Sequence, residues 1–102
     1  MKVVINRCYG GFSLSKEAWD SYAKSKGMET GQWSPWGYYE KLSTYDLDRH
    51  DPVLVDIVEK LGEKANGRCA SLDVVEIPDD VDYVVEEYDG KEWIAEKHRT
   101  WR

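Results

Sequence analysis

The residues best suited to chemistry lie in the turn Asn6-Arg7-Cys8-Tyr9-Gly10-Gly11-Phe12-Ser13. A glycine pair between a strand and a helix start can offer backbone N–H groups to an anion, and the helix end adds a favourable partial charge. In that arrangement Gly10, Gly11 and Ser13 donate, Arg7 neutralises a phosphate, and Tyr9 or Phe12 stacks on a ring. The spacing matches neither GxxxxGK[ST] nor GxGxxG, so no mononucleotide or dinucleotide fingerprint is present. The plainer reading is that Gly10 and Gly11 supply positive φ for a tight reversal. The carboxy-terminal group His98, Arg99 and Trp101 has the same two capacities, a cationic clamp and a stacking ring. It also reads as a chain end with Trp101 tucked onto the core.

Other constellations are weaker. Glu76, Glu86, Glu87, Glu92 and Glu96 fall on neighbouring predicted strands, where paired carboxylates do acid–base work or hold a cation. Solvated strand faces explain them equally well. Cys8 and Cys69 lack CxxC spacing and are read as reduced, buried small hydrophobes. With His50 and His98 scattered singly, no zinc site is expected. Cys8 with His98 makes a nucleophile–base pair only if the first and last strands adjoin.

The elements that must position these residues follow from local pattern. Lys2 to Tyr9, β-branched at Val3, Val4 and Ile5, reads as an inner strand ended by the glycines. Ser15 caps a helix that runs to Gly27, stapled by Leu14 and Trp19. Residues 29–49 form an aromatic-rich insertion, with a helical turn predicted near Tyr38 to Leu42. Asp51-Pro52 opens the clearest helix; Leu54, Ile57, Val58, Leu61 and Ala65 make one stripe, and Asn66-Gly67 ends it. Gly62 inside it suggests close backbone approach or simple tolerance. Cys69 to Ile77, Asp82 to Tyr88 and Lys91 to His98 read as strands. Asp89-Gly90 fixes the last two as a hairpin with Val85 opposite Ile94, Glu86 opposite Trp93, and Glu87 opposite Glu92. That final pair sets two like charges face to face. The sum is α+β in a single domain over 1–102: a mostly antiparallel sheet of about four strands with two helices packed on one face.

Composition excludes several classes. At 41% hydrophobic and 33% charged residues, the chain is too apolar for disorder and too polar for a membrane span. Its opening apolar stretch is too short for a signal peptide, so a cytoplasmic location is expected. A net charge of −6 argues against a nucleic-acid partner, since such binding rests on neutralising phosphates. Five Trp, seven Tyr and one Phe exceed what the core of so small a domain requires. The surplus in Trp33, Trp36 and Tyr38 points to an interface or ligand platform.

The segments KVVINRCYGGFSLS (2–15), RHDPVLVDIVEKLGEKANGRCASLDVVEIPDDV (49–81) and EEYDGKEWIAEKHRTW (86–101) resemble a family of short bacteriophage and prophage proteins. The resemblance carries no catalytic residues. It implies a phage accessory protein in the host cytoplasm that counters host defence by stoichiometric capture. The leading expectation is therefore a non-enzymatic, homo-oligomeric binder without cofactor or metal. Its ligand is an anionic, nucleotide-like small molecule held by Arg7, Tyr9, Gly10, Gly11, Phe12, Ser13, His98, Arg99 and Trp101. The alternative is an inhibitor that binds a host protein through its acidic or aromatic surface, and a third is a small hydrolase.

Overall fold

The computed structural model describes residues 1–96. Its order is β1 (Lys2–Asn6), α1 (Lys16–Lys26), α2 (Pro52–Leu61), β2 (Leu72–Glu76), β3 (Tyr83–Tyr88) and β4 (Lys91–Glu96). Short 3-10 turns lie at Thr44–Asp46 and Gly62–Ala65. Two helices and four antiparallel strands make the fold α+β, as the sequence predicts.

The helices begin where side chains can satisfy their first amides. Ser15 Oγ accepts from Ala18 N at 3.1 Å, and Gly27 stops α1 in the left-handed region at φ +65°. Asp51 accepts from Val53 N at 2.9 Å, with Pro52 in the first turn of α2. Leu54, Ile57 and Val58 are buried, joined in the core by Leu14, Trp19, Tyr22 and Ala65. Helix α2 packs on β1 and β2, and α1 packs on α2. The α-helix ends at Leu61 rather than at Asn66-Gly67. Gly62 adopts φ +58°, ψ −128°, a conformation closed to side-chain-bearing residues, and a 3-10 turn carries the chain on to Ala65. A Cβ on Gly62 would meet nothing within 4 Å, so conformation and not close approach is what requires this glycine.

Strand β1 is covered on both faces, as its apolar start predicts: Val3, Val4 and Ile5 are all buried. It ends at Asn6, short of the predicted Tyr9, because the Asn6 carboxamide turns the chain. Its Oδ1 accepts from Cys8 N and its Nδ2 donates to Cys8 O at 2.6 Å. Partner β2 correspondingly starts at Leu72, three residues beyond Cys69. Both cysteines therefore lie outside the strands as free, exposed thiols, which corrects the expectation that they are buried.

The hairpin matches its predicted register, with Val85 opposite Ile94 and Glu87 opposite Glu92. Asp89 (φ +49°) and Gly90 (φ +89°) are both left-handed, the geometry of a type I′ turn. In the insertion, the helical turn lies at Thr44–Asp46, not at Tyr38 to Leu42. Ser43 Oγ caps that turn by accepting from Tyr45 N. Residues 38–42 are held instead by a Trp33–Tyr39 bridge, with Ser34 N donating to Tyr38 O at 2.7 Å. This reversal drives Tyr39 and Leu42 into the core and leaves Trp36 and Tyr38 outside.

The four strands form two two-stranded ribbons, β1-β2 and β3-β4. The break has a specific cause at the free edge of β1. Val4 N donates to Arg49 O at 2.8 Å, Val4 O accepts from the Arg49 guanidinium, and Asn6 N donates to Glu92 Oε1 at 2.8 Å. A main chain and two ionised side chains thus stand where a third strand's backbone would pair. Strand β4 packs on β1 through them.

Candidate functional site

The centre of this junction is an ion pair. Arg49 Nη1 and Nη2 donate to Glu92 Oε1 and Oε2 at 2.6 and 2.8 Å, a fork-to-fork contact with Glu92 only 7% exposed. The guanidinium also lies 3.7 Å above the Phe12 ring centroid. Fully buried Asn6 ties in the hairpin tip, its Nδ2 donating to Gly90 O at 2.7 Å and its Oδ1 accepting from Ser71 N at 2.8 Å. The hairpin's far end is held by Tyr83 Oη against His50 Nδ1 at 2.7 Å, beside Asp48. Burial, with Asp48 adding to it and Arg49 opposing, raises the Tyr83 phenol above its ordinary pKa and keeps it protonated.

The predicted clash of Glu87 with Glu92 is relieved on both sides. Glu92 is matched by Arg49, and Glu87 turns to the hairpin tip, where its Oε2 accepts from Gly90 N at 2.9 Å.

Above the ion pair opens a cleft of about 570 Å³ between the Gly10-Gly11 turn, the Thr44–Asp46 turn and the inner face of the hairpin. Phe12, Leu47 and Val85 supply apolar wall, while Tyr45 and Glu87 stand at its rim. A second depression of about 330 Å³ adjoins it, sharing Phe12 and Thr44 and bordered by Ser13, Trp36 and Tyr38. The two form one trough along the insertion. Trp36, Tyr38 and Tyr45 beside it are 72%, 52% and 97% exposed.

The predicted ligand residues are divided by this geometry. Gly10, Gly11 and Phe12 line the first cleft, and Phe12 and Ser13 the second. Arg7 and Tyr9 border neither. Arg7 Nε donates to Asp73 Oδ2 at 3.0 Å across the β1-β2 ribbon, and exposed Tyr9 lies under Lys91. His98, Arg99 and Trp101 lie outside the described residues. The glycine amides do not face an open cradle. Gly10 N donates to Asp89 O at 2.9 Å, and a Cβ placed on Gly90 would overlap the Gly11 amide nitrogen. A Cβ on Gly10 would come within 2.7 Å of Cys69 Cβ. Positive φ and close packing against the hairpin tip and Cys69 account for the pair, as the plainer reading expects.

Arg49 and Asn6 organise the site; Asn6 opens the candidate turn but was assigned no role there, and Arg49 was not among the sequence's candidates. The available signal was the Glu87–Glu92 register, since two facing carboxylates require a cation from elsewhere in the chain. Among the described residues, no group of three or more His, Cys, Asp or Glu is placed to hold a metal ion. No helix among them is long and apolar enough to cross a membrane. No family model matches the chain, and neither a curated protein nor a solved structure matches it.

Proposed function

We propose that this chain is a non-enzymatic binding protein that docks on a partner protein through the aromatic trough. The observation that carries this reading is the exposure of Trp36, Tyr38 and Tyr45 around two adjoining clefts, when the core already holds Trp19, Tyr22 and Tyr39. Large aromatic rings held in water at one site are costly unless something covers them, and such rings dominate the energetics of protein interfaces. They stand on a loop fixed by its own hydrogen bonds and by the buried Tyr39 and Leu42, so little ordering entropy is lost on docking. The resemblance to phage accessory proteins supports a host protein as that partner and counter-defence as the setting.

An anionic, nucleotide-like ligand has less support. The one guanidinium lining the large cleft among the described residues is matched on both Nη atoms by Glu92, and Glu87 adds a further negative charge.

The test compares wild type with Trp36→Ala and Tyr45→Ala as baits in host lysate, followed by affinity measurement on the retained protein. Each variant should weaken that complex by tenfold or more, with thermal melting unchanged because both side chains are exposed. A partner held equally well by all three baits overturns the trough as the docking surface. One-to-one heat on titration with a nucleotide would return the anionic-ligand reading to first place.

A further inference from the structure

We propose that the cleft between the Gly10-Gly11 turn, Tyr45 and the hairpin reads a cationic side chain, arginine or lysine, presented by the partner segment. This deepens the docking reading above and rests on it for the partner's being a protein.

Charge complementarity selects the occupant. Within the cleft Arg49 and Glu92 cancel through two short, parallel hydrogen bonds, which leaves the Glu87 carboxylate as the net charge. Glu87 is already oriented: its Oε2 is held by Gly90 N at 2.9 Å, and among the described residues Oε1 has no hydrogen-bond partner. A carboxylate fixed by one backbone donor retains lone pairs for a forked or point-charge donor and loses little rotamer freedom on accepting it. Fixing that one turn amide does not require a charge, because a neutral amide oxygen would cap it as well. A carboxylate there also faces Glu92 across the hairpin, an arrangement unfavourable to the isolated strands.

The surroundings fit a long cationic side chain rather than a bare cation. Val85, Leu47 and Phe12 offer apolar wall for its methylene stem. Tyr45, which lines the same cleft and is 97% exposed, has its ring uncovered and available to the charged head. At about 570 Å³ the cleft admits such a side chain with water to spare. The same recognition mode recurs within the chain itself, where Arg49 stacks on Phe12 at 3.7 Å and Lys91 Nζ lies 5.5 Å from the Tyr9 ring centroid. A net charge of −6 favours the approach of a basic segment.

The experiment titrates the 15N-labelled full chain with N-acetyl-arginine amide, N-acetyl-lysine amide and the neutral isostere N-acetyl-citrulline amide. Saturable shifts of the Gly11, Tyr45 and Glu87 amides are expected from the two cations, with citrulline at least tenfold weaker. Glu87→Gln should weaken the arginine probe by about tenfold, the loss of one charge-assisted contact, while the melting temperature does not fall and the Gly90 amide keeps its protection from exchange. Tyr45→Ala should weaken it independently. Citrulline binding as well as arginine, cation-induced shifts located elsewhere, or inorganic phosphate moving these amides while arginine does not, would each overturn the proposal. These probes need no partner. If they fail while Trp36→Ala still releases the host protein, only the cationic specificity falls; if they succeed while Trp36→Ala changes nothing, only the trough reading falls.

Discussion

Glu92 has its carboxylate out of water, which would cost several kcal/mol without compensation. Compensation comes from Arg49 on both oxygens and from Asn6 N on Oε1. A buried ion pair exchanged for apolar residues of similar size is often neutral in stability. Here the pair has a second task, since it also satisfies Val4 O and Asn6 N on the open edge of β1. Glu92→Ala should therefore cost about 3–5 kcal/mol in urea unfolding, because it strands the guanidinium. The double variant Arg49→Met, Glu92→Leu separates the two tasks. It removes both charges but leaves a carbonyl and an amide unpaired, at about 1–3 kcal/mol for each buried group. It should remain clearly less stable than wild type. A double variant as stable as wild type would mean that the pair does not serve the strand edge.

Between elements, Asp51 plays the corresponding part. It caps α2 by accepting from Val53 N, and it pairs with Lys26 in the last turn of α1 at 2.7 Å while only 11% exposed. Burial raises its pKa, but the Lys26 contact, the Val53 amide and Tyr22 together outweigh that and hold the carboxyl below its ordinary value. Because the folded pKa is the lower one, the contribution is complete above the unfolded value of 3.8 and is lost as pH falls through the folded pKa. Asn remains a competent cap but cannot titrate or pair with Lys26. Wild type should thus exceed Asp51→Asn in stability near neutrality, and the gap should close as the medium is acidified below about pH 4. Denaturant unfolding of both proteins across that range checks this; a gap constant with pH would remove the ion pair from the α1–α2 junction. Caps of this kind were legible from sequence. Ser15, Asp51-Pro52 and Asp89-Gly90 each act over a few residues, so type and spacing suffice, and even the hairpin register followed. The contacts that shape the site are not local. Arg49 lies 43 positions from Glu92, and Asn6 lies 84 from Gly90. The aromatic insertion has no period because its path is set by which rings reach the core, Tyr39 inward and Tyr38 outward. Four strands could be counted but not joined, since nothing in a strand's own pattern announces that two side chains will occupy its neighbour's place.

At the scale of the molecule, the β3-β4 ribbon is joined to the rest at three stations along its length. The tip rests on Gly10-Gly11 and Asn6, the Glu87–Glu92 pair next to it on Arg49, and the far end on His50. None of these stations is a strand-to-strand ladder, and the outer face, with Val84, Tyr88 and Trp93, is exposed. A ribbon held by polar contacts of this kind opens locally at less cost than the helix-backed β1-β2 pair. Since Val85 and Glu87 form one wall of the large cleft, seating of the hairpin also sets the width of the binding site. Gly90→Ala tests that dependence. Its Cβ would overlap the Gly11 backbone, and its φ of +89° is one an alanine adopts only under strain. The turn must therefore lift from the Gly10-Gly11 segment, breaking the Asp89–Gly10 and Gly90–Asn6 hydrogen bonds. Overpacking of this kind costs about 1–3 kcal/mol. Its distribution is the informative part: amide exchange should accelerate over residues 83–96 and at Gly10, while α2 and β1 retain their protection. Uniform acceleration over the whole chain would instead make the hairpin an inseparable part of one cooperative unit. Wild-type exchange throughout would mean that the tip does not rest on the glycine pair.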